Sequence, residues 1–365
     1  MPDAQPPRRI PWVRLATAAV VIAGGAWLAS RLDLARVMDA LRHADWRLVS
    51  LAALLNLTLN TAARVGRWAP LLGAQPREGA GPRFTELAAL HLAGQAVSNL
   101  LPTRAGDALR VVQLRRRHGY PVSALVTVQI VETVVAGMTL GLLALLVLGA
   151  PETPRSLSAA LALLAAAGLG GGALLVWLAR RARPVATGAP RTVSRPTLAP
   201  RSATPVPGSA VARALSAATS MVTRAVDAVR HLRSPGVWLR SLGWSLVSDL
   251  TDVAMIGMVL GAVGVSLSAV SWIVAFVAIN LVLVLPSTPA QIGVLEVGAV
   301  AALRALGVEE HAALAFALLY HAAHVIPPTV VGGLLLVRLD LRRAPTEALA
   351  TAAPGVSRPK PTTPP

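Results

Sequence analysis

The residue types that could do chemistry in this chain gather in two short segments. In the first, Asn99 and two leucines lead to Pro102, Thr103 and Arg104, then Gly106, Asp107 and, one helical turn on, Arg110. In the second, Leu285 leads to Pro286, Ser287 and Thr288, then Gly293 and Glu296. Each is a Leu-Pro break after an apolar run, followed by a hydroxyl, a glycine and an acid. Proline removes a backbone donor and leaves carbonyls unpaired. A helix that restarts after the break offers free N–H groups and the positive end of its dipole, which suit a phosphate. The hydroxyls of Thr103, Ser287 and Thr288 add contacts, Gly106 and Gly293 permit close backbone approach, and the Arg104 guanidinium can fork onto phosphate oxygens. These residues form the candidate substrate-binding set.

Other ionisable groups lie in apolar surroundings, where they are costly and therefore functional candidates. Glu132, Asp249 and Asp252 are candidates for carrying a proton or forming an ion pair. Asp107 and Arg110, three apart, can pair on one helix face. Glu132 or Glu296 can bridge to Arg104 or Arg110. His321 and His324 share a helix face, but no third ligand accompanies them, so an interhelical bond is expected rather than a metal site. No catalytic cluster, P-loop or cofactor motif is visible.

The elements that must position these groups are membrane helices. The chain has 365 residues, 54% of them hydrophobic and only 14% charged, against about 25% charged in soluble domains. Apolar runs at 122–150, 157–179, 237–261 and 312–337 match the roughly 20 residues that span a bilayer. There are no cysteines, which excludes disulfides and thiolate metal sites. The net charge of +17 is mostly arginine in loops, the pattern of cytoplasmic loops. No basic module with interleaved aromatics accompanies it, so no nucleic-acid partner is expected.

Charge then sets an expected topology. Arg8, Arg9 and Arg14 place residues 1–10 inside, before an uncleaved first helix (preferred here over a signal peptide) at about 11–30. A second helix, about 46–63, returns, and Arg64, Arg67, Arg77 and Arg83 mark the inside. The piece near 85–118 has basic residues on both flanks, which predicts a re-entrant hairpin. Helices at 122–150 and 157–179 complete a first half, 11–179. Residues 180–236 form a basic, Pro-rich cytoplasmic linker, ending in an interfacial or plain connecting helix at about 211–229. The second half, 237–343, holds a hairpin near 266–310 that enters from the opposite face, and 344–365 form a disordered tail. The expected fold is all-α and polytopic, with an inverted repeat and both termini cytoplasmic; paired breaks in two halves point to a site at the bilayer midplane.

Arg67-Trp68, the stretch 99–110, Glu132, and residues 285–296 followed by Leu306-Gly307-Val308 together resemble the lysylphosphatidylglycerol synthase transmembrane-domain family of flippase-like membrane proteins. The resemblance covers about 13–337. It implies an inner-membrane protein with an inverted repeat, in a family whose best-understood members move aminoacylated phospholipid between leaflets. It also implies that Arg104, Gly106, Asp107, Arg110, Pro286, Gly293 and Glu296 line the lipid path. Two departures stand out. Thr133 follows Glu132 where relatives often carry a basic residue, and Ala290-Gln291 stand where a glycine pair is more usual. Only tail follows Arg343 in the place of the family's soluble aminoacyl-transferase domain, so lipid aminoacylation by this chain alone is not expected. The leading expectation is a translocase for a phospholipid or lipid-linked head group. The alternatives are a non-transporting scaffold that presents lipid to a partner lipid- or glycan-modifying enzyme, and a membrane-embedded transferase.

Overall fold

The structure is a computed structural model and describes residues 34–101, 105–181, 232, 234–283 and 289–338. The expected first helix at 11–30, the linker with its helix at 211–229, and the tail lie outside these residues. So do Pro102, Thr103, Arg104, Pro286, Ser287 and Thr288.

Every regular element among the described residues is helical. A short helix α1 (Leu34–Arg42) precedes α2 (Trp46–Leu55), which passes through a single π turn (Asn56–Asn60) into α3 (Thr61–Gly73). Then come α4 (Phe84–Leu100), α5 (Ala105–His118), α6 (Val122–Val147) and α7 (Arg155–Arg181). After the linker follow α8 (Pro235–Ala262), α9 (Ala269–Leu283), a 3-10 turn (Pro289–Gln291), α10 (Val294–Ala305) and α11 (Glu310–Arg338). Among the described residues, five stretches are long and apolar enough to cross a membrane: Trp46–Gly73, Val122–Val147, Arg155–Trp177, Pro235–Ala262 and Glu310–Val337. The protein is a multi-pass membrane protein.

The first of these spans corrects the sequence reading. The helix does not stop near residue 63 but runs on to Gly73, so Arg64 and Arg67 belong to its interior rather than to a cytoplasmic loop. The physical reason is pairing: each guanidinium meets a carboxylate from another helix, Asp252 for Arg64 and Glu132 for Arg67. An arginine inside a span is tolerable when a partner neutralises it.

The two segments bearing the Leu-Pro breaks are pairs of short helices. The first pair has 17 and 14 residues, the second 15 and 12, all below the roughly 20 that a crossing takes. Members of each pair pack on each other. In the first pair the approach is so close that a Cβ on Gly106 would lie 1.8 Å from the Gly94 carbonyl oxygen; no larger residue fits there.

Apolar packing divides into two clusters. One gathers α8 to α11 around Met255, Ile256, Phe276, Leu303 and Phe316. The other gathers α3 to α6 around Trp68, Leu71, Leu109, Leu114 and Val128. Polar groups from α3 and α8 line the seam between these helices.

Candidate functional site

That seam is built by helical periodicity. Along the first span, Asn56, Asn60, Arg64 and Arg67 recur every three or four residues, and along α8 so do Ser241, Ser245, Ser248 and Asp252. Residues so spaced lie on one face, and the two stripes meet. The Ser241 hydroxyl donates to the Arg67 carbonyl at 2.9 Å, and Arg67 Nη1 donates to Ser245 Oγ at 3.4 Å. Ser248 donates to Asn60 Oδ1 at 2.8 Å. Asn60 Nδ2 and Arg64 Nη2 donate to the two Asp252 oxygens at 2.6 and 3.2 Å.

At one end of the seam stands a mixed-charge cluster. Arg67 Nη2 donates to Glu132 Oε1 at 3.0 Å, and Arg110 Nη1 lies 3.7 Å from Glu132 Oε2. Two guanidiniums from α3 and α5 thus share one carboxylate from α6. Arg110 also bonds Asp107 on its own helix and lies over the Trp68 ring, 5.2 Å from its centroid, a distance at which the ring face attracts a cation. Gln129 Nε2 donates to the Asp107 carbonyl at 3.1 Å, fixing α5 on α6. The fields of Arg110, Arg64 and Arg67 all reach His91 on α4. Arg67 Nε and Arg110 Nη1 are buried and make no hydrogen bond. Buried donors normally find an acceptor; Arg110 Nη1 has only the more distant Glu132 Oε2 at 3.7 Å.

At the other end the π turn meets the last span. Pro327 and Pro328 lie inside α11 and lack the N–H groups that would bond Ala323 and His324 four residues back. Asn56 Nδ2 supplies both carbonyls, at 3.3 and 2.9 Å. The irregularity in one span therefore satisfies the irregularity in another.

The second break is built differently. Ala290, Gln291 and Gly293 have φ of 53°, 62° and 85°, the left-handed region that favours glycine. The turn packs against α4. Glu296, in the first turn of α10, accepts from the Gly293 N–H at 2.6 Å, as a carboxylate at that position does in a capping box. Its other oxygen bonds His321 on α11.

The structure therefore brings Gly106, Asp107, Arg110 and Glu132 into one place, and Gly293 and Glu296 into another. Asn99 donates to Thr329 Oγ1 on α11 at 2.7 Å. Asp252 lies in the α3–α8 seam, and Asp249 one turn before it. Glu296 reaches His321 rather than an arginine, while His324 Nδ1 is 3.9 Å from Asp252. No group of three or more metal-type ligands occurs among the described residues. Sequence reasoning missed the roles of Asn56, Asn60, Arg64, Ser245 and Ser248. The three-to-four spacing of polar residues through an apolar span was the signal that could have found all five.

No curated protein matches this chain. The family model described as the lysylphosphatidylglycerol synthase TM region matches residues 13–332, nearly all of the helical chain. The chain belongs to that family, as the motifs around its two breaks led us to expect.

Proposed function

We propose that this protein moves a phospholipid or lipid-linked head group between the leaflets of the cell membrane. Membership of the family supports a role connected with membrane lipid. The observation that carries the finer reading is the cluster of Arg67, Arg110 and Glu132. Two guanidiniums are held among apolar helices, and each keeps a buried N–H group without an acceptor. An arginine fork is suited to phosphate oxygens, and an anionic head group would supply the missing acceptors. Glu132 and Asp107 together balance the charges of Arg67 and Arg110 when the site is empty, and Glu132 can release one of the two cations to an incoming anion.

In this reading the pairs α4–α5 and α9–α10 are hairpins that enter from opposite faces, as an inverted repeat requires. Packing of the second break's turn against α4 fits a head-group path between them. Arg104, Thr103, Ser287 and Thr288 are the further contacts proposed from sequence. Energy would come from a gradient or from mass action.

Reconstitution into liposomes tests this. With fluorescent head-group-labelled phosphatidylglycerol and a membrane-impermeant quencher, the protein is expected to make inner-leaflet probe accessible faster than protein-free vesicles do. Probe that binds but stays in its leaflet contradicts translocation and supports the scaffold alternative, in which lipid is held for a partner enzyme.

A further inference from the structure

Two aspartates one helical turn apart on α8 have opposite surroundings. Asp252 is fully engaged, with Asn60 and Arg64 on its two oxygens. Asp249 is only 8% exposed, and its Oδ2 has no hydrogen-bond partner. Among the described residues, no cation lies within ion-pair distance of it. A buried carboxylate oxygen without a hydrogen bond is costly to keep ionised, and a proton removes that cost.

Asp249 is also wired to the arginine cluster. The Thr139 hydroxyl of α6 lies beside its carboxylate. Thr139 Oγ1 is 2.9 Å from Ser245 Oγ, which accepts from Arg67 Nη1 at 3.4 Å, and Arg67 in turn holds Glu132. Among the described residues, the fields of Arg64 and Arg67 on α3 and of Asp252 on its own helix reach Asp249. The only ionisable residue of α6 is Glu132, and α9 has none. On α11, Tyr320 and His324 lie in the field of Asp252.

We propose that Asp249 is a proton-binding site whose occupancy is relayed through Thr139 and Ser245 to Arg67. An O–H bond forms at the carboxylate as one breaks in hydronium, leaving water. With the proton bound, Arg67 is held by Glu132 and Ser245. With the proton gone, a second carboxylate draws Arg67 away from Glu132, which is then free to hold Arg110. The relay to lipid handling rests on the proposed function; the protonation itself does not.

Infrared difference spectroscopy of the purified chain in lipid nanodiscs at neutral pH reads the proton directly. Expected is a protonated-carboxyl C=O band that moves on transfer to D2O, is lost in Asp249→Asn, and survives in Asp252→Asn. Thr139→Val is expected to shift the band, which keeps the test decisive if Asp249→Asn does not fold. Absence of the band, its persistence in Asp249→Asn, or its removal by sodium at constant pH would overturn the proposal; the last would mark a metal-cation site. Lipid movement without the band refutes this inference alone, and the band without lipid movement refutes the proposed function alone.

Discussion

The two breaks share a residue pattern yet build unlike surroundings. At the first, the acid Asp107 pairs with Arg110 on its own helix, and that arginine joins Arg67 on Glu132, so three helices meet at one charge cluster. At the second, the acid Glu296 caps its own helix and takes a histidine from α11. One break is built to hold charge, the other to hold a turn. A repeated motif therefore does not carry a repeated role; the residues contributed by neighbouring helices decide what each copy does.

The contrast can be broken most severely at Glu132. Glu132→Ala leaves Arg67 and Arg110 buried together without their shared carboxylate. Removing one partner of a buried ion pair costs about 3–5 kcal/mol, so thermal unfolding in detergent should show the largest loss of any variant named here. Replacing both Arg67 and Glu132 with Met and Leu should recover much of it, because a buried pair is often no better than an apolar one of similar volume. Asn56→Leu comes next. It strips both proline-orphaned carbonyls of α11 of their donor, at roughly 1–3 kcal/mol for an unsatisfied buried group, read as faster amide exchange around Ala323 and His324.

At the second break the effects should be smaller. Glu296→Ala removes an N-terminal capping interaction, worth about 1 kcal/mol, and frees His321; a loss equal to that of Glu132→Ala would erase the proposed difference between the breaks. The smallest expected change is a gain. Ala290→Gly relieves a left-handed conformation that costs a residue with a side chain about 1–2 kcal/mol, offset in part by the entropy glycine loses on folding. A rise in unfolding temperature checks it, and a fall would show that the turn is not strained at Ala290.

Much of the architecture was legible in the sequence, because membrane helices announce themselves by length and apolarity. The spans near 122–150, 157–179, 237–261 and 312–337 fall where the structure has them. The unusual turn at Ala290-Gln291 was also visible as a departure from the family's glycines, and both residues have positive φ. The first described span was misjudged because Arg64 and Arg67 look like loop arginines until Asp252 and Glu132 arrive from α8 and α6. Partners 188 and 65 residues away leave no trace in local spacing. Glu296 and His321 illustrate the same point: each was singled out, but what joins them is the packing of α10 on α11.

The central claim is that the arginine cluster of the first break handles an anionic head group. Its most direct test compares wild type with Arg110→Gln in liposomes, measuring inner-leaflet accessibility of labelled phosphatidylglycerol, with circular dichroism confirming that the variant keeps its helices. The account predicts rapid exposure of the probe by wild type and a rate near that of protein-free vesicles for Arg110→Gln. Equal rates for the two proteins would contradict it.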